Sequence, residues 1–176
     1  MSQLPPLTDA DFVRGDRSAP LVLIHYGDFQ CPYSAAIATE IREMRLHFKT
    51  ELCVVFRHFP LPDLHPQALQ ASLAAQAAGE KFWQMHDLLF ENRRALREAD
   101  LKRYAQQIGL DIAQFEREFA SEATMQLVAD SVAGGKAAGA HGTPSIFING
   151  TFHDNDEALW EEDALKTVLE SARRAA

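Results

Sequence analysis

An apolar run broken only by His25, Leu21–Tyr26 (LVLIHY), follows Pro20 and predicts a strand buried on both faces, as parallel strands usually are. From Pro32 the pattern becomes helical. Ile37, Ile41, Met44 and Phe48 fall at i, i+4, i+7 and i+11, a single apolar stripe. Pro32 suits the first helical position, where its missing N–H costs nothing. Glu51–Phe59 (ELCVVFRHF) is a second strand-like run, closed by Pro60 and Pro62. Strand, helix and strand in this order predict a βαβ unit with a right-handed crossover.

From His65 to Gly139 the composition shifts to Ala, Leu, Gln and Glu at helical spacing, and at least four helices are expected. Gln67–Ala78 ends at Gly79, a residue suited to the position after a helix. Lys81–Asn92 carries Phe82, Met85, Leu89 and Phe90. Asp100 is expected to cap a helix holding Leu101, Tyr104, Ala105 and Ile108, which Gly109 stops. Asp111 is expected to cap a turn around Phe115, and Ser121 a run through Met125, Val128 and Val132 to Gly134. The chain then returns to strand. Ser145–Asn149, Gly150 and Thr151–His153 predict a hairpin, with Asn149-Gly150 suited to a type I′ turn. A final amphipathic helix is expected over 156–174, with Leu159, Trp160, Leu165, Val168 and Leu169 apolar. The organisation is α/β: a βαβ part over 1–62, a helical insertion over 63–139 and a ββα part over 140–176.

Composition narrows the function classes. With 47% hydrophobic and 24% charged residues, 176 residues make one ordinary domain carrying an insertion. A net charge of −8 with scattered Lys and Arg speaks against nucleic acid, which needs clustered basic residues. No apolar run approaches the length of a membrane span. The N-terminus MSQLPPLTDADFVRGD shows neither a basic n-region nor an apolar h-region. A cytoplasmic chain is the expectation, or a periplasmic one had a leader been removed. Of the two cysteines, neither has zinc-type neighbours, and the seven histidines form no HExxH, so no metal is expected.

The chemistry centres on Cys31-Pro32-Tyr33-Ser34, between a buried strand and a helix N-terminus. Unpaired N–H groups and the helix dipole there favour an anion by about 0.3–2 kcal/mol, so a thiolate is favoured over a thiol. Gly142-Thr143-Pro144-Ser145 directly precedes a strand, where a proline marks a turn, an edge or a cis bond.

YGDFQCPYS after an apolar strand, the βαβ unit, some seventy helical residues, then HGTPSIFING and a C-terminal helix resemble the DsbA-like branch of the thioredoxin superfamily. The resemblance runs from about Ala19 to Ala172. It implies a thioredoxin fold, a mixed sheet flanked by helices, interrupted by an all-helical domain. It also implies that Cys31 is the nucleophile, that Pro144 is cis and faces it, and that Thr143 offers backbone groups to an extended substrate.

Two positions depart from the family pattern. Ser34 stands where a resolving cysteine belongs, and His25 stands where a buried acid is usual. Without a second thiol, a mixed disulfide on Cys31 cannot be expelled internally. A monothiol cycle follows, with protein thiols or disulfides as partners, glutathione as the outside co-substrate and no tightly bound cofactor. Alternatives on the same scaffold are a glutathione-dependent isomerase or transferase, a non-catalytic peptide-binding module, or a dithiol oxidoreductase whose second cysteine was changed to Ser34. A monomer or weak dimer is expected.

Cys53 lies in an apolar strand and reads as a core residue, although a neighbouring strand would also allow contact with Cys31. His25 is either a satisfied core histidine or a base or cation beside Cys31. His141 has a path to the same cleft, and His65 is expected to open the first inserted helix. Tyr33 is expected exposed at the groove, Tyr26 and Phe29 packed behind the loop, and Trp83 and Trp160 in the core.

Overall fold

The computed structural model describes residues 6–153 and 158–175. Its strands are β1 (Phe12–Arg14), β2 (Leu21–Gly27), β3 (Leu52–His58), β4 (Ser145–Ile148) and β5 (Thr151–His153), in the sheet order β1-β3-β2-β4-β5. β2 and β3 are parallel, joined by α1 (Pro32–Phe48), and the other pairings are antiparallel. A parallel pair needs such a crossover, and the apolar stripe of α1 supplies it by burying Ile37, Ile41 and Phe48. Every residue of β3 is buried: Leu52–Phe56 are apolar, and of the two polar residues that follow, Arg57 is ion-paired with Asp11 at 2.7 Å. The Asn149-Gly150 turn has φ of 48° and 83°, both positive, as a type I′ turn demands.

Between β3 and β4 stand α2 (Ala68–Ala77), α3 (Phe82–Glu91), α4 (Glu98–Gln107), α5 (Ile112–Phe119) and α6 (Glu122–Ala137); α7 (Ala164–Ala175) follows β5. The architecture is therefore the expected one, a mixed sheet with a helical block inserted between its two halves. The strand alternation divides the core. Leu21, Leu23, Leu52 and Val54 pack with α1 and α7. Ile24, Tyr26, Cys53 and Val55 face Phe59, Ala138 and Phe147. Phe56 joins Phe29, Phe82, Met85 and Phe90 of the helical block.

Several local expectations shift. β1 pairs on the outer edge of β3, and its three residues are too few to show a period. α4 starts earlier: Arg97 is its N-cap, and Asp100 sits at N3, its carboxylate accepting the Arg97 N–H at 3.3 Å. Asp111 and Ser121 do cap their helices, accepting from Gln114 N at 2.7 Å and Thr124 N at 3.1 Å. α6 does not stop at Gly134. It runs on to Ala137 because Gly135 lies flush on the sheet, where a Cβ would stand 2.9 Å from Tyr26 and Phe59 ring atoms. The last helix begins at Ala164, after positive φ at Ala158 and Asp163, so Leu159 and Trp160 belong to the preceding turn; Asp156 lies outside the described residues. No helix among the described residues is long and apolar enough to cross a membrane.

Candidate active site

The site forms where β2 ends and β4 begins. Because β4 runs antiparallel to β2 with Ser145 opposite Tyr26, the residues before Ser145 lie beside those after Tyr26. Two loops 112 residues apart in sequence thereby meet, and the Cys31 thiol donates to the Thr143 carbonyl at 3.5 Å. The Thr143–Pro144 peptide bond is cis. Cys31 is the N-cap of α1, with φ −69° and ψ 125°, and Pro32 occupies the first turn. The 17-residue helix thus directs its positive end at the cysteine. Cys31 itself is only 3% exposed. Pro32 and Tyr33 beside it are exposed, as is His141, and the Tyr33 ring lies against Trp160 with centroids 5.0 Å apart.

The loop is held by Asp28, a fully buried carboxylate. Its Oδ1 accepts the N–H of Gln30 at 2.8 Å and of Cys31 at 3.2 Å, and its Oδ2 accepts the N–H of Leu61 at 3.0 Å. His65 Nδ1 donates to the same Oδ2 at 2.8 Å. Gln30 extends the tie, its Oε1 accepting the Gln67 N–H at 2.8 Å. Ser34 is also fully buried, and its hydroxyl accepts the Asp28 N–H at 3.3 Å. Of these residues, the sequence pointed to Ser34, in place of a resolving cysteine, and to His65, for a different role, but not to Asp28 or Gln30. Asp28 could have been found, since an Asp bonding the N–H two and three residues on is a turn with a local signature. His65, expected at a helix start, instead sits ahead of α2 and braces the active-site loop.

His25 is a core histidine. It is 2% exposed, lies edge-on to Phe56 at 5.3 Å and parallel to Phe90 at 6.1 Å, and its Nε2 has no hydrogen-bond partner. Burial, and then the neighbouring His86, holds its pKa down at about 3. The imidazole is neutral and supplies no positive charge to Cys31. Cys53 is ruled out as a neighbour of Cys31. It pairs with Val22, five residues before the Gly27–His58 pair at the site end, or about 16 Å along the strand. Burial pushes its thiol pKa up, away from the reactive thiolate. Trp83 and Trp160 are half-buried rather than fully core, the Trp83 Nε1 donating to Val13 O at 3.1 Å. No cluster of metal ligands occurs among the described residues.

Burial of His25 and His58, both held at about 3, has a consequence for stability. Unfolding restores them to about 6.5, so between pH 6.5 and 3 the unfolded chain binds more protons and stability falls as pH is lowered. Each imidazole contributes a slope of about 1.4 kcal/mol per pH unit in that window. Urea midpoints measured from pH 8 to 4 are expected to drop below pH 6.5, and less steeply in His25→Phe.

The family model described as Thioredoxin matches residues 7–170, and the chain belongs to that family. It is 39% identical over 171 residues to part of the protein named Na(+)/H(+) antiporter NhaA 1 of Salinispora arenicola, a match covering 96% of this chain and 26% of that one. The chain thus spans about a quarter of the length of that curated relative. Among solved structures, oxidised BdbD of Bacillus subtilis superposes with a TM-score of 0.81 at 20% identity, covering 96% of both chains. The thiol-disulfide exchange protein alpha-DsbA2 of Wolbachia pipientis gives a TM-score of 0.75 at 18% identity, covering 93% of this chain and 86% of its own. The fold is that of the DsbA-like thiol–disulfide oxidoreductases.

Proposed function

We propose that the chain is a thiol–disulfide oxidoreductase that works through one nucleophile, Cys31. The observation that carries this reading is the placement of the two thiols. Cys31 caps α1 with its thiol on the Thr143 carbonyl, while Cys53 is buried about 16 Å down the neighbouring strand. In the first step the Cys31 thiolate attacks a disulfide RS–SR′. The Cys31–S bond forms, the S–S bond breaks, and R′S⁻ leaves and takes a proton. Ser34 has no sulfur with which to repeat this, and its hydroxyl already accepts a loop N–H. A second, external thiolate of the glutathione type therefore attacks the mixed disulfide, forms a new disulfide with R and returns Cys31 as thiolate.

The surrounding residues have supporting roles in this cycle. Because Cys31 is nearly covered, an incoming disulfide displaces the thiol from the Thr143 carbonyl. That carbonyl then accepts an N–H from an extended peptide, laid as an added strand beside Pro144. Tyr33, exposed with Trp160 behind it, forms one wall of the groove. Pro32 presets the first helical turn, and His25 packs beneath it as a neutral group. Protein disulfides and glutathione disulfides are the substrate class.

The test is a glutathione-coupled disulfide reductase assay on Cys31→Ser and Cys53→Ser. Loss of at least about 10³-fold is expected for Cys31→Ser, the scale for removing a covalent nucleophile. Cys53→Ser is expected to retain activity. Full activity without Cys31 would rule the mechanism out.

A further inference from the structure

Outside the thiol site, a cavity of about 170 Å³ opens between α1 and α3. Its floor is buried: His25, Phe56 and Phe90. On the α1 side the methyl groups of Ala35 and Ala38 leave it room, and Thr39, Ile41, Arg42 and Arg45 complete that wall. Trp83 closes one side. An apolar cavity of about 150 Å³ accommodates benzene. The space here therefore takes a body of one aromatic ring.

The polar groups of this cavity are unevenly matched. Arg14, Arg42 and Arg45 line it against two carboxylates, Asp87 and Glu91, although the whole chain carries −8. Arg14 and Asp87 pair with each other at 2.6 Å. Arg45 is half-buried and within salt-bridge distance of no carboxylate among the described residues; burial and the charge of Arg14 disfavour its cation, and the charge of Asp87, which also pairs with Arg14 and His86, offsets this only in part. Arg42 stands exposed at the mouth. A half-buried cation whose counter-charge, Asp87, is shared with Arg14 and His86, set above an open apolar floor, suits one kind of molecule.

We propose that the α1–α3 cavity is a binding site for a small aryl carboxylate. The ring lies on Phe56 and Phe90 between Ala38 and Trp83. The carboxylate faces the mouth, paired with Arg45 and steered by Arg42. The site is separate from the thiol chemistry and needs no cysteine.

Phenylacetate is the probe, titrated into the full chain by calorimetry and followed by amide chemical shifts. A ligand of this size is expected to bind with a Kd on the order of 0.1–1 mM, with shifts at Ala35, Ala38 and Phe90. Phenylacetamide, the same shape without the charge, is expected to bind at least tenfold more weakly. Arg45→Gln is expected to lose tenfold or more for the acid and little for the amide. Ala38→Leu, which fills the space, is expected to abolish binding of both. Should that variant fold poorly, the acid-against-amide comparison on the unaltered chain stands by itself. No saturable binding, equal affinity for acid and amide, or unchanged affinity in Arg45→Gln would each overturn the proposal.

Discussion

Ser34→Cys is expected to change the mixed disulfide on Cys31 from a persistent species into a fleeting one. Cys31 is the N-cap and Ser34 the third helical residue of α1, so their side chains share one face of the first turn. Groups three apart there have Cβ atoms about 5–6 Å apart, and a disulfide needs about 3.5–4.5 Å, a gap that a small adjustment of the turn closes. A thiol at position 34 then competes with external thiols as an intramolecular group. That advantage shortens the lifetime of a glutathionyl adduct by at least about 10³-fold at equal external thiol. Acid-quenched mass spectrometry reads it directly. The adduct should persist in the unaltered chain and give way, in the variant, to an internal disulfide between Cys31 and the introduced thiol. Equal lifetimes would mean that the missing second thiol does not limit the cycle.

Asp28→Ala is expected to destabilise the chain by about 3–5 kcal/mol, the scale for removing one partner from a buried, charge-assisted set. The carboxylate is fully buried and receives three backbone N–H groups and the His65 imidazole. Alanine fills none of those bonds and leaves the donors in a space too small to hydrate freely. Asp28→Asn keeps an acceptor oxygen and loses the charge, so a smaller loss of about 1–3 kcal/mol is expected. Equilibrium urea unfolding at pH 7.5 measures both. A change below about 0.5 kcal/mol in Asp28→Ala, the scale of an ordinary surface substitution, would show that the loop is held by something else.

What could be read from the sequence follows the length and regularity of each pattern. β2, α1 and β3 were legible because their apolar runs are long and their periods differ. The hairpin was legible because Asn149-Gly150 carries the positive φ values the turn needs. β1 offers three residues and one alternation, and its identity comes only from pairing with β3. Leu159 and Trp160 are apolar for a tertiary reason, packing against α1 and its neighbours from a turn, so their spacing imitated a helix that starts at Ala164. Gly134 looked like a stop, yet α6 continues through it because Gly135 must lie close on Tyr26 and Phe59.

The site divides in the same way. Cys31 was nameable because its motif lies at a strand-to-helix junction, Thr143 and Pro144 because HGTPSIFING resembles the DsbA-like pattern, and the antiparallel β2–β4 register brings them together. The brace beneath them was not. Asp28 has a local turn signature, but Leu61 and His65 reach it from 33 and 37 residues further on, through a loop that only the folded sheet positions. His25 was ambiguous because a strand histidine six residues before a nucleophile can point to either face. The parity of β2 resolves it, since His25 shares a face with Leu21 and Leu23, toward α1 and the aromatic helical block.

The central claim is that one sulfur carries the chemistry and cannot release its partner unaided. Intact-protein mass spectrometry after treatment with oxidised glutathione tests it most directly, with tryptic mapping and a later chase of reduced glutathione. One adduct on Cys31, stable until the chase and then lost, is the expected result, with Cys53 unmodified throughout. A chain that takes no adduct, or that clears it without added thiol through a Cys31–Cys53 disulfide, would contradict it.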